Sequence, residues 1–578
     1  MREWPESGKM LSWIIILVLK SDSQLSYISY MNVYLQIHPK DNVLVALKDL
    51  PAGEEIAFNG DTITLLNTIP AKHKFTIEAI AKGSPVVMYG VLVGKALTDI
   101  HKGDLITVNN LEHDANAFHD KDANYAWQAP DVTPWKDRTF MGYHRTDGQV
   151  GTRNFWLVIP MVFCENRNVG VIKTAFEKGL GFAPAETYNS QVEDLVSLYK
   201  SGNLDAVKTY EPHPTTHQIQ RSSVFPNIDG IKFLTHEGGC GGTRQDSDAL
   251  CALLAGYIHH SNVAGATILS LGCQHAQVSI LQAATKKLNA QFDKPILVFE
   301  QQKLGSEFNM LSTAIKETFM ALVEANKLER KPAPLSKLVI GLECGGSDGF
   351  SGISANPAIG HTSDLLVALG GTTILSEFPE LCGVEQELIN RCETEDNADK
   401  FIRIMRAYES QAESVGSGFY MNPSPGNIKD GLITDAIKSA GAAKKGGTSP
   451  VVDVLDYTEY VTKPGLNLLC TPGNDVESTS AEVGSGANVV LFTTGLGTPT
   501  GNPIAPVVKL STNTKLAQKM PDIIDIDTGS IISGEKSIAK MGEEILDYVI
   551  EIASGNVHAK AEILQQDDFI PWKRGVSL

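Results

Sequence analysis

Hydrophobic positions along the chain fall into two textures. Between residues 31 and 113 they come in short β-branched runs, "NVLVAL", "TITLL", "FTIEAI", "SPVVMYGVLVGKAL" and "LITV", broken by "PAGEE", "FNGD", "PAKHK" and "HKGD". Short apolar runs bounded by Gly, Pro, Asn and Asp predict strands and tight turns, so this unit is read as β-rich. A polar linker with scattered aromatic residues follows at 114–137.

From residue 138 the pattern alternates. "FWLVIPMVF", "GIKFLTH", "GATILSLGC" and "KPILVFE" predict buried parallel strands, and "SDALCALLAGYIHH" and "QVSILQAATKKLNA" carry helical periods between them. This α/β unit spans 138–334. A second one, 335–578, contains "KLVIGLECGG", "TTILSEF", "LNLLCTPG" and "NVVLFTTGLGTPTG", each running a strand into a polar or glycine-rich loop. The overall expectation is an α/β multidomain protein with largely parallel sheets, in which ligands bind beyond the carboxyl ends of the strands. "KSAGAAKKGGTS" (438–449) is of low complexity and reads as a flexible loop.

Length and charge narrow the function classes. The 578 residues exceed one core, and a net charge of −18 argues against nucleic acid or an anionic membrane as partner. The apolar run "MLSWIIILVLK" (10–20) is too short to span a bilayer, the residues before it are balanced in charge, and no cleavage site follows. Residues 1–30 are therefore expected to be an extension or a mis-set start ahead of Met31. Eight cysteines without a CxxC pair suggest reduced thiols and a cytoplasmic location. "GLGTPTG" (495–501) lacks the Lys-Ser/Thr of a phosphate loop, and neither a dinucleotide fingerprint nor a G-x-S-x-G elbow is present.

The candidate chemistry lies in loops. "GLECGGSDGFSG" (341–352) sets Cys344, Ser347 and Asp348 among five glycines, which suits close approach of main chain to a ligand. Cys240 and Cys273 are also flanked by glycine. His38, His73 and His236 sit at loop edges, and Glu377, Asn474 and Asp475 follow strands. Arg145, Arg153 and Asn154 lie together in "HRTDGQVGTRN", where an arginine fork would grip a carboxylate. Each has a structural alternative: capping for the histidines and aspartates, an internal ion pair for Arg153, and packing for the cysteines.

Several long stretches, "HPKDNVLVALKDLPAG", "IPAKHKF", "VGTRN", "GLECGGSDGFSGISANP", "GGTTILSEFPE", "NPSPGN" and "TPGNDVEST" with "FTTGLGTPTGNP", resemble the altronate/galactarate dehydratase family from about residue 32 onward. Gln274 departs from the pattern, standing where an acidic residue often follows the cysteine. The resemblance implies an N-terminal SAF-type (β-clip) domain at 31–113 and a small-molecule sugar-acid substrate. The implied reaction removes water across C2 and C3 of D-altronate, giving 2-dehydro-3-deoxy-D-gluconate. Galactarate, or a sulfolactate-type lyase reaction, is the alternative; a non-catalytic sugar-acid-binding regulator is a further class, and a homo-oligomer is compatible with all of them. Family members need a divalent metal, here Fe2+ with Mn2+ as second choice. His38, His73, His236, Arg145, Arg153 and Asn154 are the expected catalytic set. Ser347, Asp348, Asn474 and Thr498 are the substrate contacts. Cys240, Cys273, Cys344, Asp348, Glu377 and Asp475 are the pool of metal ligands, with an imidazole-plus-carboxylate set suited to iron(II). A [4Fe-4S] cluster on Cys240, Cys273 and Cys344 ranks below a mononuclear ion because these cysteines have no local spacing signature.

Overall fold

The computed structural model describes residues 33–183, 187–212 and 224–577; the stretch read as an extension, 1–30, lies outside them. The N-terminal unit comprises β1 (Tyr34–Leu35), β2 (Val43–Ala46), β3 (Glu55–Phe58), β4 (Asp61–Thr64), β5 (Lys74–Thr76), β6 (Pro85–Met88), β7 (Val91–Ala96) and β8 (Leu111–Glu112). Strand β2 lies between β1 and β5, β3 pairs with β4, and β7 lies between β6 and β8, all antiparallel.

Four turns in this unit follow one plan. They are Leu50-Pro51-Ala52-Gly53, Ile69-Pro70-Ala71-Lys72, Ile80-Ala81-Lys82-Gly83 and Ile100-His101-Lys102-Gly103. The apolar residues bridge in pairs, Leu50 with Ile69 and Ile80 with Ile100. In each turn the residue after the fourth donates its N–H to the carbonyl of the second, and the fourth residue is left-handed, with φ of 82°, 76°, 80° and 88°. Such turns select glycine at that place. Three of the four comply; the second carries Lys72.

Next come β9 (Thr139–His144) and β10 (Val150–Gly151), then β11 (Phe155–Pro160), β12 (Gly230–Phe233), β13 (Val263–Ser270) and β14 (Ile296–Glu300), which form a four-stranded parallel sheet in the order β12-β11-β13-β14. β15 (Lys331–Pro334) returns to pair with β9. The second α/β unit holds β16 (Val339–Cys344), β17 (Thr372–Leu375), β18 (Val451–Leu455), β19 (Gly465–Leu469), β20 (Val489–Thr494), β21 (Val507–Ser511) and β22 (Ile526–Asp527). They form a parallel sheet in the order β18-β19-β17-β16-β20-β21-β22. Its strands are almost wholly buried, as continuous apolar runs between two helical layers require.

One expectation about a loose segment is corrected. The 438–449 patch is helix Asp435–Ala442 and the turn after it, and Lys445 is 1% exposed. Its small residues serve close packing instead of flexibility. The linker is strapped along the C-terminal unit: Lys121 Nζ donates to the carbonyls of Asn390 and Cys392 at 2.7 Å each, Trp127 Nε1 to Thr448 Oγ1 at 3.2 Å, and Trp135 Nε1 to Asp547 Oδ1 at 2.8 Å. The N-terminal unit itself shares a core with the C-terminal one, in which Leu35, Val43 and Tyr89 join Phe350, Ile353 and Ile433.

Candidate active site

In the seven-stranded sheet, chain leaves β16 toward β17 on one side, while β20 continues to β21 on the other. The strand order therefore reverses between β16 and β20, the place where open α/β sheets form a crevice. The loops after β16, β17, β19 and β20 bring Cys344 to Asp348, Glu377, Asn474 to Asp475, and Thr498 to this edge. A β-carbon at Gly345 would overlap the Asp475 carboxylate, and one at Gly495 would overlap that of Asp348. The "GSD" and "GND" loops thus meet.

Beneath the crevice lies a buried acid–lysine cluster. Cys344, Glu377 and Glu380 have potential ligand atoms all within 4.8 Å of one another. Glu377 is left-handed (φ 63°) and anchored by its N–H to Thr471 Oγ1 at 2.8 Å. Lys445 Nζ lies 3.1 Å from Cys344 Sγ and 2.5 Å from Glu377 Oε2; Lys438 Nζ lies 2.7 Å from Glu380 Oε1. Behind them, Ser478 Oγ donates to Glu343 Oε2 at 2.7 Å and Ser376 Oγ to Glu482 Oε1 at 2.8 Å.

Burial, then the neighbouring carboxylates, pushes Glu343 well up and raises Glu377; burial raises Glu482 to about 8. Burial also acts upward on Glu380, but Lys438 and Lys445 outweigh it and hold that group down. Burial and then Glu377 push the Cys344 thiol well up. Asp475 rises to about 7, through burial and then Glu377 and Glu380.

Four glutamates and Asp475 therefore face three ammonium groups, Lys438, Lys445 and, beside Asp475 and Glu343, the buried Lys509, which burial lowers to about 7. Glu343 Oε1, Glu377 Oε1 and Glu482 Oε2 are buried and find no N–H or hydroxyl donor. Glu343 and Glu377 satisfy each other only when Glu343 carries a proton, the direction in which its surroundings drive it. Such an excess of buried negative charge requires protons or a cation. A divalent ion fits the Cys344–Glu377–Glu380 donors. Among the described residues no histidine joins that group, so the expected imidazole-plus-carboxylate set does not form there.

Asp348 is placed differently from the metal pool it was expected to join. Its carboxylate is buried and accepts from Thr512 Oγ1 (3.0 Å), the Phe350 N–H (3.1 Å) and Ser351 Oγ (3.3 Å), and pairs with Lys72 Nζ at 3.0 Å. Lys72 also pairs with Asp430 at 2.8 Å, and Lys74 Nζ donates to the Gly431 carbonyl at 2.7 Å. A β-carbon at Gly349 would overlap the Lys72 carbonyl, and one at Gly352 the Tyr89 hydroxyl. The bare backbone after Cys344 therefore admits the N-terminal unit as well as the crevice side chains. This brings His73 to the same contact. Its Nδ1 lies 3.2 Å from the Ala71 carbonyl, Nε2 has no hydrogen-bond partner among the described residues, and burial holds its pKa below the usual value.

The other expected residues lie elsewhere or act through main chain. Arg153 is buried and doubly paired with Glu562 at 2.7 and 2.8 Å; Arg145 Nε donates to the Ser261 carbonyl at 2.7 Å and its Nη2 to Asn154 Oδ1 at 3.0 Å. These residues precede β11, at the amino end of the middle sheet, where they bind protein groups and have no fork left for a substrate. His236 donates from Nε2 to the Pro160 carbonyl (2.8 Å) and accepts at Nδ1 from the Gly238 N–H (3.1 Å); burial lowers it to about 4. Cys240 and Cys273 are exposed in the middle domain and do not join the Cys344 group. His38 packs on Gly90 and accepts from the Lys40 N–H. Ser347 accepts through its carbonyl from Asn427 Nδ2 at 2.7 Å, Asn474 caps helix Asp475–Gly484, and Thr498 lies against Gly346.

Glu380, Lys438, Lys445 and Lys72 escaped the sequence reading. Glu380 had a signal in "SEFPE", three residues past Glu377; Lys438 and Lys445 had none, because buried lysines are rare, and the partly exposed Lys72 sits in an ordinary turn.

The matches to known proteins agree along the chain. Residues 32–114 match the altronate/galactarate dehydratase SAF domain, 142–326 the second domain of D-galactarate dehydratase/altronate hydrolase, and 335–577 the D-galactarate/altronate dehydratase C-terminal domain. The altronate dehydratase of Escherichia coli K12 is 34% identical over 94% of this chain and 100% of its own length. That of Bacillus subtilis 168 is 32% identical over 95% and 100%, and the galactarate dehydratase (L-threo-forming) of E. coli K12 is 30% identical over 90% and 93%. The chain belongs to the altronate/galactarate dehydratase family of hydro-lyases.

Proposed function

We propose that the chain dehydrates D-altronate to 2-dehydro-3-deoxy-D-gluconate, with a divalent ion, Fe2+ before Mn2+, held by Cys344, Glu377 and Glu380. The observation that carries this reading is the excess of buried carboxylates over ammonium groups at the strand-end crevice. The full-length likeness to two altronate dehydratases favours altronate over galactarate.

Removing the C2 proton places a second negative charge on the substrate's carboxylate, and a bound divalent ion would supply Lewis-acid stabilisation of that charge. His73, neutral and with Nε2 free, is suited to accept the C2 proton. Asp475, whose carboxyl burial above all raises, to about 7 without a metal, is suited to give a proton to the C3 hydroxyl, which leaves as water. The C2–H electron pair becomes the C2=C3 bond, and the resulting enol passes its hydroxyl proton to solvent while C3 gains one, giving the 2-keto acid. Lys445 holds Glu377 in place and opposes the protonation that burial and Glu380 favour.

The test is incubation of anaerobically purified, Fe2+-loaded protein with D-altronate and galactarate, reading 2-keto acid. Altronate should be turned over faster, with one iron per chain and no acid-labile sulfide. Absence of altronate turnover overturns the substrate assignment, and stoichiometric sulfide overturns the mononuclear ion.

A further inference from the structure

With Arg145 and Arg153 committed to protein partners, the side-chain cation that would orient the substrate's carboxylate has to come from elsewhere. Lys438 and Lys445 are buried against glutamates, and Lys509 is buried with its ammonium donating to the Thr500 carbonyl. Lys72 is the partly exposed ammonium at the crevice contact, with 18% of its side chain accessible, compared with 0% for its partner Asp348.

Its backbone supplies the decisive observation. Lys72 holds the left-handed fourth position of a turn that this unit builds four times, and the other three copies place glycine there. The fold of the turn therefore does not need a lysine; a side chain at φ 76° is strained, and glycine is the unstrained choice. Strain of this kind persists where a side chain has work that its backbone does not. Left-handed Glu377 and Tyr89 occur at the same crevice and docking face. The Lys72 carbonyl is packed on Gly349 and Gly431, and Lys74 Nζ donates to that same carbonyl at 3.0 Å, so the ammonium is delivered on a braced main chain.

Its two partners differ. Asp348 is buried and accepts from three further groups within 3.3 Å, and so stays in place. Asp430 is 28% exposed and accepts from Lys72 at 2.8 Å.

We infer that Lys72 is a substrate-binding residue supplied by the N-terminal module: the sugar acid's carboxylate takes the position that Asp430 holds on its ammonium, leaving the Asp348 pair intact. This rests on the reading that the crevice takes a sugar acid. The N-terminal module would then be one wall of the site and a determinant of specificity for acids over neutral polyols.

Three variants test this, Lys72→Gly, Lys72→Arg and Asp430→Asn, assayed in the full chain. Lys72→Gly copies the sister turns and should keep the wild-type melting temperature within a few degrees and its metal content, while KM for altronate rises at least tenfold. Lys72→Arg should recover most of that loss. Asp430→Asn removes the competing carboxylate, and KM should stay level or fall. An unchanged KM in Lys72→Gly overturns the inference with the proposed reaction intact. A rise in KM of equal size in Lys72→Gly and Asp430→Asn also overturns it, since both variants would then act only by loosening the docked module. Failure of the wild type to turn over altronate is a separate result. In that case the thermal shift with altronate, galactarate and altritol decides: an acid-dependent shift lost in Lys72→Gly supports the inference, and no acid-dependent shift in the wild type, or one retained in Lys72→Gly, overturns it.

Discussion

The ammonium of Lys445 lies 3.1 Å from the Cys344 sulfur and 2.5 Å from Glu377 Oε2, so one buried cation serves both a thiol and a carboxylate. Removing one member of a buried pair strands the other charge, at a cost of about 3–5 kcal/mol. Lys445→Met should destabilise the metal-free protein by roughly that amount in urea denaturation, and added divalent ion should recover part of it. A loss near zero would mean that Glu377 is already neutral without the lysine.

Asp475 gives the pH dependence a sign. Its value in the folded protein, about 7, lies above the ordinary 3.8, so the native state binds this proton more tightly than the unfolded chain does. Its share of stability is present at pH below about 4 and is lost as pH rises to about 7, a change on the order of 1–4 kcal/mol. Asp475→Asn should flatten that part of the stability curve in metal-free protein and remove most of the activity of the metal-loaded enzyme. Denaturation midpoints at stepped pH, alongside kcat, read both effects.

Arg153 and Glu562 form the opposite case. Although burial acts upward, Arg153 and then His558 outweigh it and hold Glu562 down at about 2, so the stabilisation from this carboxylate is present above the ordinary carboxylate range and is lost as pH falls toward 2. Glu562→Gln should lower stability by about 3 kcal/mol or more at neutral pH and leave KM for the sugar acid unchanged. A large rise in KM without loss of stability would return Arg153 to the substrate.

His73→Ala removes a side chain whose ring nitrogen makes one hydrogen bond, to its own turn. The fold and melting temperature should be preserved while kcat drops about 10²–10⁴-fold, the usual range for a lost general base. Retention of activity would move the base to another residue.

The strand-end loops were legible because their signal is local: an apolar run that stops at glycine and then presents Cys344 or Asp475 reports its own position in a parallel sheet. The N-terminal β unit was legible for the same reason, through its turns. What lies between distant segments was not. Lys445 stands 101 positions from Cys344 and in a stretch of alanine and glycine that mimics a loose loop, yet helix packing buries it. Arg145 and Arg153 were misplaced because a cationic motif looks the same whether it grips a ligand or Glu562. The recurrence of the N-terminal turns was hidden by its own exception, since Lys72 breaks the glycine pattern that would have revealed it.

The strapped linker and the shared apolar core have a consequence for how such proteins can be built. The N-terminal module is held by its own contacts, through Lys72, Lys74 and Tyr89 on one side and the anchored segment around Trp127 and Trp135 on the other. Peptide continuity between the two parts is then a convenience of synthesis, and two separately made polypeptides divided near the start of that segment have the surfaces needed to reassemble into one working particle.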